Sequence, residues 1–362
     1  MKHRIEKLRA RLDELGLDAA LISNPHNRRY LSGFTGSAGW LLITRDDAVI
    51  ATDFRYFEQS ATQAPAFRLH KAVGGFEKWM TELLRPLGAI DVAFEAADVS
   101  YHTHRLLRKC VQSLPSGERP RLVPTTDLVE ALRAIKEPEE IDALRRAVLL
   151  GDEAFVDVAR RIEPGWTEKR VAWEIEKYIR EHGGDGLSFD TIVAAGPWGA
   201  LPHAYPRDHA IREGEGIVID MGVNLGGYMS DLTRTIVLGE PDDQFKRVYD
   251  IVLTAQLTAE ELITAGMTGE EAHNIALRVI SEAGYGDRFG HGLGHGVGLQ
   301  IHEAPRLGSN SKDALRDGMV VTIEPGIYIP GWGGVRIEDQ AVIEGGRLRV
   351  LTTAPKLEFV PA

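Results

Sequence analysis

The chain has 362 residues, 43% of them apolar and 26% charged, with 42 Lys and Arg against 53 Asp and Glu and a single cysteine. This composition excludes a disordered chain, no apolar run approaches the roughly 18 residues a bilayer crossing needs, and the length accommodates about two domains with cores of their own. Cys110 alone excludes an internal disulfide or a thiolate zinc site and points to the reducing cytoplasm, while the excess of 38 acidic over 24 basic groups in residues 129–362 disfavours nucleic acid and suits metal cations or protonated amines.

The first residues carry Ile5, Leu8, Leu12 and Leu15 at helical spacing among charges, which reads as an amphipathic helix of the mature protein and not as a signal peptide. Short apolar runs at 18–23, 39–44, 47–52 and 90–96 predict buried strands, and helical stretches near 54–62, 76–84 and 101–109 alternate with them, an α/β pattern. Prolines and a Ser-Gly pair in 114–124 predict a loop, followed by a charged helix from about Leu128, which places a domain boundary there and divides the chain into 1–128 and 129–362. Beyond it, helical patterns at 138–161, 167–182, 245–265 and 268–283 are separated from Ile- and Val-rich strand pairs joined by glycine turns, an α+β pattern.

Two of those strand pairs carry buried acids. In GIVIDMGVNLGGYMSDLTRTIVLG, Asp220 and Asp231 flank a turn whose midpoint falls between Leu225 and Gly226, so a symmetric loop sets them directly opposite each other. In the second pair, Glu324 of VVTIEPGIYI and Glu338 of GVRIEDQAVI are centred on Gly331 in the same way. Like charges facing each other in apolar strands call for a cation between them; pairing with an arginine such as Arg336 is the competing explanation. FGHGLGHGVGLQIHEAP offers His291, His295 and His302 as imidazole donors. Its glycines argue against a helix, HExxH is absent, and an extended backbone puts His291 and His295 on one face; a phosphate-binding or purely structural glycine loop stays open. Four carboxylates balance two divalent ions, and an oxygen-rich set with imidazole suits Mn²⁺, Co²⁺, Fe²⁺ or Zn²⁺, the chemistry of a hydrolase.

Asp220, Asp231, His295, Glu324 and Glu338, within DMG, SDLTRT, HGLGHGVGL, IEPG and GVRIED, resemble the metal ligands of pita-bread metallopeptidases. Methionine aminopeptidases are similar only to the second half, whereas YLSGFTGS and DFRYFEQSA in the first half resemble the proline-specific branch, aminopeptidase P and prolidase. Creatinase has the same two-domain plan but works without metal, and the full ligand set argues against it. The resemblance implies a creatinase-like α/β N-terminal domain, a pita-bread α+β catalytic domain, two divalent ions with Mn²⁺ foremost, and a homodimer. It also implies catalytic roles for His203, His302 and Glu324 and substrate contacts for His291 and Arg336. The activity it implies is release of an N-terminal residue preceding proline. Between the branches, the residues after His295 (Gly296, Val297, Gly298 and Leu299) supply no cation for a dipeptide carboxylate, which favours an Xaa-Pro aminopeptidase, with Xaa-Pro dipeptidase as the alternative and a non-catalytic protein-binding module as a distant one.

Overall fold

The computed structural model divides into two compact units, Met1–Arg133 and Ala134–Ala362, of which residues 1–356 are described. The short helix Glu130–Arg133 belongs to the first unit because its side chains are tied to the helix Pro25–Ser32: Asn27 Nδ2 donates to Glu130 Oε1 (2.6 Å), and Arg133 Nη1 donates to Asn27 Oδ1 (2.7 Å). Among the described residues no helix is long and apolar enough to cross a membrane.

The first unit is built on one six-stranded mixed sheet. Its strands are β1 (Ala19–Ile22), β2 (Trp40–Thr44), β3 (Ala48–Thr52), β4 (Arg68–Lys71), β5 (Asp91–Glu95) and β6 (Arg121–Thr125), ordered β4-β3-β2-β1-β5-β6. β1 and β3 are buried along their whole length, as strands covered on both faces must be, and these continuous apolar runs are what made them legible. β4 and β6 occupy the two edges. β6 falls partly in the stretch expected to be a loop; its Pro124 lacks an N–H, yet an edge strand tolerates that loss on its open side. Asn24 caps the helix Pro25–Ser32 by accepting from the N–H groups of His26 and Asn27, and Gly33 ends it at φ +79°.

The second unit contains β7 (Gly186–Leu187), β8 (Ile192–Ala195), β9 (Gly216–Met221), β10 (Val223–Leu225), β11 (Tyr228–Met229), β12 (Leu232–Val237), β13 (Gly294–Gly296), β14 (Glu303–Leu307), β15 (Val320–Ile323), β16 (Gly326–Ile329), β17 (Gly333–Arg336), β18 (Asp339–Glu344) and β19 (Arg347–Val350). Two long hairpins dominate it. In one, β9 and β10 return as β11 and β12; in the other, β15 and β16 return as β17 and β18. Each packs on its own pair of amphipathic helices. Pro138–Ala159 and Glu168–Glu181 cover Ile217, Ile219 and Ile236 of the first hairpin, whereas Asp243–Leu262 and Gly269–Glu282 cover Val321, Ile323, Val335 and Ile343 of the second. Burying these faces fixes the strands, so the opposite faces are held rigidly toward whatever they bind.

Candidate metal centre

Each hairpin is interrupted close to its acids. In the second, Val320 pairs with Val342 and Gly326 with Arg336, a register that carries Glu324 opposite Glu338 across the break between β15 and β16, as the midpoint at Gly331 predicts. The first differs from expectation. Its turn is Gly226–Gly227, at φ +59° and +79°, the geometry of a two-residue type I′ loop, and Asp220 pairs with Thr233. The true midpoint lies one residue later than the sequence suggests, so Asp231 stands opposite Gly222. Asp220 and Asp231 are therefore diagonal neighbours, still on one face because the shift along the partner strand is two residues.

His295 reaches the acids from β13, between two glycines that no other residue can replace. A Cβ on Gly294 would lie 2.0 Å from the Thr322 carbonyl oxygen, and one on Gly296 would lie 2.1 Å from that of Ala304. The His295 Nδ1–H donates to its neighbour's carbonyl, Gly296 O (3.1 Å), which leaves the Nε2 lone pair facing outward. Nε2 stands 3.5 Å from Asp231 Oδ2 and 3.5 Å from Glu324 Oε1. Asp231, His295 and Glu338 each present a donor atom within 4.8 Å of the others.

The electrostatics identify what this geometry lacks. Burial, reinforced by Glu338, Asp220 and Glu324, raises the Asp231 carboxyl well above its ordinary range; burial and the neighbouring acids do the same to Glu338, and burial pushes Glu324 up to about 8. Burial also pushes His295 down to about 4, so its imidazole is neutral and forms no ion pair with the acids beside it. Asp220 Oδ1 and Glu338 Oε1 are buried and have no hydrogen-bond partner. An unprotonated imidazole nitrogen facing carboxylate oxygens, with orphaned carboxylate oxygens around it, is a donor set that a divalent cation satisfies, and a metal of the Mn²⁺, Co²⁺ or Zn²⁺ type fits these residues.

Arg336, the one cation amid the four acids, is buried and fully engaged. Nη2 donates to Asp220 Oδ2 (2.5 Å), Nε to Thr233 Oγ1 (3.1 Å), and Nη1 to Tyr328 Oη (2.7 Å) and the Pro202 carbonyl (3.4 Å). Thr233 in turn donates to Glu338 Oε2 (2.6 Å). The structure thus places Arg336 as a buried brace for Asp220. His291 Nδ1 donates to Gly292 O (2.8 Å), so its Nε2 accepts from the Tyr328 hydroxyl (2.9 Å); burial holds this imidazole neutral, with a pKa down to about 4. His302 is exposed, its ring packed edge-on against His295 with centroids 4.3 Å apart, and burial of its inner edge lowers its pKa. His203 is exposed beside Pro202, close enough to interact electrostatically with both His291 and His302.

Sequence reasoning missed several participants. Thr233 and Thr322 stand two residues from Asp231 and Glu324 on the same strand faces, a period-2 signal that was available; Thr322 Oγ1 donates to Glu324 Oε1 (3.2 Å) and accepts from His295 N (3.1 Å). Tyr328 and Gln340, whose Oε1 accepts from Asp231 N (3.1 Å), are joined to the site only by tertiary contacts. Arg306 pairs in register with His295 across β13 and β14, is exposed, and lies close enough for its charge to depress both His295 and His302. Among the described residues, no partner holds its guanidinium.

Residues 4–135 match the Creatinase/Prolidase N-terminal domain and residues 142–345 match Metallopeptidase family M24. The Xaa-Pro dipeptidase of Pyrococcus furiosus is 36% identical over 99% of this chain and all of its own length. Among solved structures, an Xaa-Pro dipeptidase from Bacillus anthracis is 40% identical with a TM-score of 0.93 (100% of this chain, 99% of that one). An X-Pro aminopeptidase from Thermotoga maritima MSB8 is 35% identical with a TM-score of 0.89 (99% and 100%). With a creatinase/prolidase-type first domain followed in sequence by a pita-bread unit whose two hairpins carry the carboxylates and whose strand β13 carries His295, the chain belongs to metallopeptidase family M24.

Proposed function

We propose that this metallopeptidase hydrolyses Xaa-Pro dipeptides. The observation that carries the reading is Arg306, an uncommitted guanidinium on the same sheet face as His295. A dipeptide's proline carries a free carboxylate about one residue beyond the scissile bond, and an exposed guanidinium beside the site recognises it in bidentate fashion. The preference for longer peptides rested on the absence of such a cation after His295, and it gives way here. Arg336, the guanidinium amid the acids, is unable to serve in its place, being consumed by Asp220, Thr233 and Tyr328. The dipeptidase relatives support the same choice, while the X-Pro aminopeptidase structure shows that nearly the same fold accompanies the other name.

In this reading Asp220, Asp231, His295, Glu324 and Glu338 hold two divalent ions, Mn²⁺ foremost. Bound there, such ions supply an activated water and Lewis-acid polarisation of the scissile carbonyl. The chain's own residues do the rest. Glu324 accepts the proton of the attacking water and passes it to the departing proline nitrogen. His302 and His203 donate hydrogen bonds to the carbonyl oxygen as charge develops on it, and His291 with Tyr328 walls the proline side. The scissile bond is a tertiary amide without an N–H, so recognition falls to the substrate's two termini. A homodimer in the cytoplasm completes the reading, supported by the family resemblance and the lone buried Cys110.

Steady-state kinetics of the Mn²⁺-loaded protein on an Xaa-Pro dipeptide and the matched Xaa-Pro-Xaa tripeptide test it. The dipeptide is expected to have the higher kcat/KM by at least about tenfold, about 1.4 kcal/mol, and Arg306→Met to erase that preference chiefly through KM. Equal or better cleavage of the tripeptide returns the assignment to an aminopeptidase.

A further inference from the structure

Residues 351–356 form an irregular strap bonded to β12 and β18, the strands that carry or adjoin Asp231 and Glu338. Along one line, Leu351 N donates to Gln340 O (2.8 Å) and Thr352 Oγ1 accepts from Gln340 N (2.9 Å), while the same residue's Oε1 takes the N–H of Asp231 (3.1 Å). Along a second line, the carbonyls of Pro355 and Ala354 accept from Arg234 Nε (3.2 Å) and Nη2 (2.7 Å). The other end of that guanidinium donates to Glu338 O (2.5 Å) and Thr233 O (3.0 Å). The middle of the strap is clasped by Asp152, on the helix Pro138–Ala159, whose Oδ2 accepts from both Thr353 N (2.5 Å) and Thr353 Oγ1 (2.8 Å).

Gln340, Arg234 and Asp152 are all buried, at 0%, 1% and 4% exposure, so the strap, although Thr353 and Pro355 are themselves exposed, is held by side chains rooted in the interior. Both lines begin on the strap and end on the main chain of a carboxylate that shares His295. We propose that the strap is a positioning element of the metal centre, with Asp152 as its clasp: it sets the main chain of Asp231 through Gln340 and that of Glu338 through Arg234. The inference rests on the reading of those two acids as ligands. Releasing the clasp removes no ligand but lets two of them wander, and loss of supporting contacts of this kind costs roughly 10–100-fold in metal affinity.

The test is Mn²⁺ affinity of the full chain, measured by competition with a fluorescent chelator, for the wild type, Asp152→Ala, Asp152→Asn and Asp231→Asn. Asp152→Ala is expected to weaken Mn²⁺ about 10–100-fold. Asp152→Asn, whose amide oxygen still accepts from both Thr353 donors, should restore binding to within about threefold of wild type. A strap that merely stabilises the fold would lower the melting temperature of the metal-free protein and leave the affinity untouched, and that outcome overturns the proposal. So does an Asn variant as weak as the Ala one. Should Asp152→Ala fail to fold, Thr352→Val, which strips the acceptor from Gln340 N alone, is expected to weaken Mn²⁺ at least about threefold, and unchanged affinity there is equally fatal. Retained binding in Asp231→Asn sinks the ligand assignment and the strap with it, whereas loss in Asp231→Asn beside an unchanged Asp152→Ala sinks the strap alone.

Discussion

His302 and His295 stand ring against ring, yet their surroundings assign them different work. His295 is tethered by Gly296 O with its free nitrogen among carboxylates, whereas His302 is exposed and none of the cluster's acid oxygens lies in ion-pair distance of it. His302→Ala is therefore expected to lower kcat by roughly 10²–10³-fold, the scale of losing one donor to a developing oxyanion, with metal stoichiometry unchanged. Single-turnover kinetics beside metal analysis of the purified variant decide it; loss of metal would mean that the two imidazoles exchange roles. The same residue scale shows what a sequence conceals. Asp220, Asp231, Glu324 and Glu338 were conspicuous because charge in an apolar strand violates the local pattern. Arg336 was conspicuous for the same reason, but its many donors left its partner undetermined, and only the fold shows that Asp220, Thr233 and Tyr328 claim them.

At the scale of elements, legibility follows the turns. The loop centred on Gly331 is symmetric, so the register of Glu324 and Glu338 was readable from the residue count alone. The Asn224–Gly227 stretch offers two candidate centres, and the choice falls to the glycines at 226 and 227, both needing positive φ; that tips the register by a pair of residues. The edge strands β4 and β6 were invisible for a related reason, since half-exposed strands lack the continuous apolar run that marks β1 and β3. Gly294 shows how closely the elements approach. Ala there would drive a methyl into the Thr322 carbonyl of the adjacent strand β15, which has no room to retreat. Gly294→Ala should cost about 1–3 kcal/mol in denaturant unfolding and reduce metal content by displacing His295. Gly290→Ala, with open space around the new methyl, serves as the near-neutral control.

At the scale of the whole molecule, stability is tied to the cation through pH. In the metal-free protein the carboxyls of Asp231, Glu324 and Glu338 have pKa values raised by burial and mutual repulsion, Glu324 from 4.5 to about 8. A folded-state pKa above the unfolded one means that the folded chain holds the proton more tightly. The contribution of Glu324 is thus fully present below about pH 4.5 and is lost as pH rises through about 8, and those of Asp231 and Glu338 are lost in the same direction. Scanning calorimetry of chelator-treated protein should show a melting temperature that falls across this window, while the Mn²⁺-loaded protein is spared because cations replace the protons. A chelated protein whose melting temperature rises from pH 5 to 8 by as much as the loaded one would contradict the crowding of acids described above.

The seam between the hairpins carries one more consequence. Among the described residues β12 meets the arm formed by β17 and β18 through one main-chain bond, Glu338 N to Thr233 O (3.0 Å), and otherwise through side chains: Thr235 Oγ1 both accepts from Arg336 N and donates to Arg336 O, Thr233 Oγ1 reaches Glu338, and Arg234 donates to Glu338 O. A continuous ladder would impose the strand period of roughly 4.8 Å on everything attached to it. A hydroxyl-stitched joint imposes no such quantum. The gap between Asp220 and Asp231 on one side and Glu324 and Glu338 on the other is therefore set by side chains, the hydroxyls of Thr233 and Thr235, the guanidinia of Arg234 and Arg336 and the Gln340 amide, so that exchanging one of them alters the spacing of the acids without rebuilding a sheet.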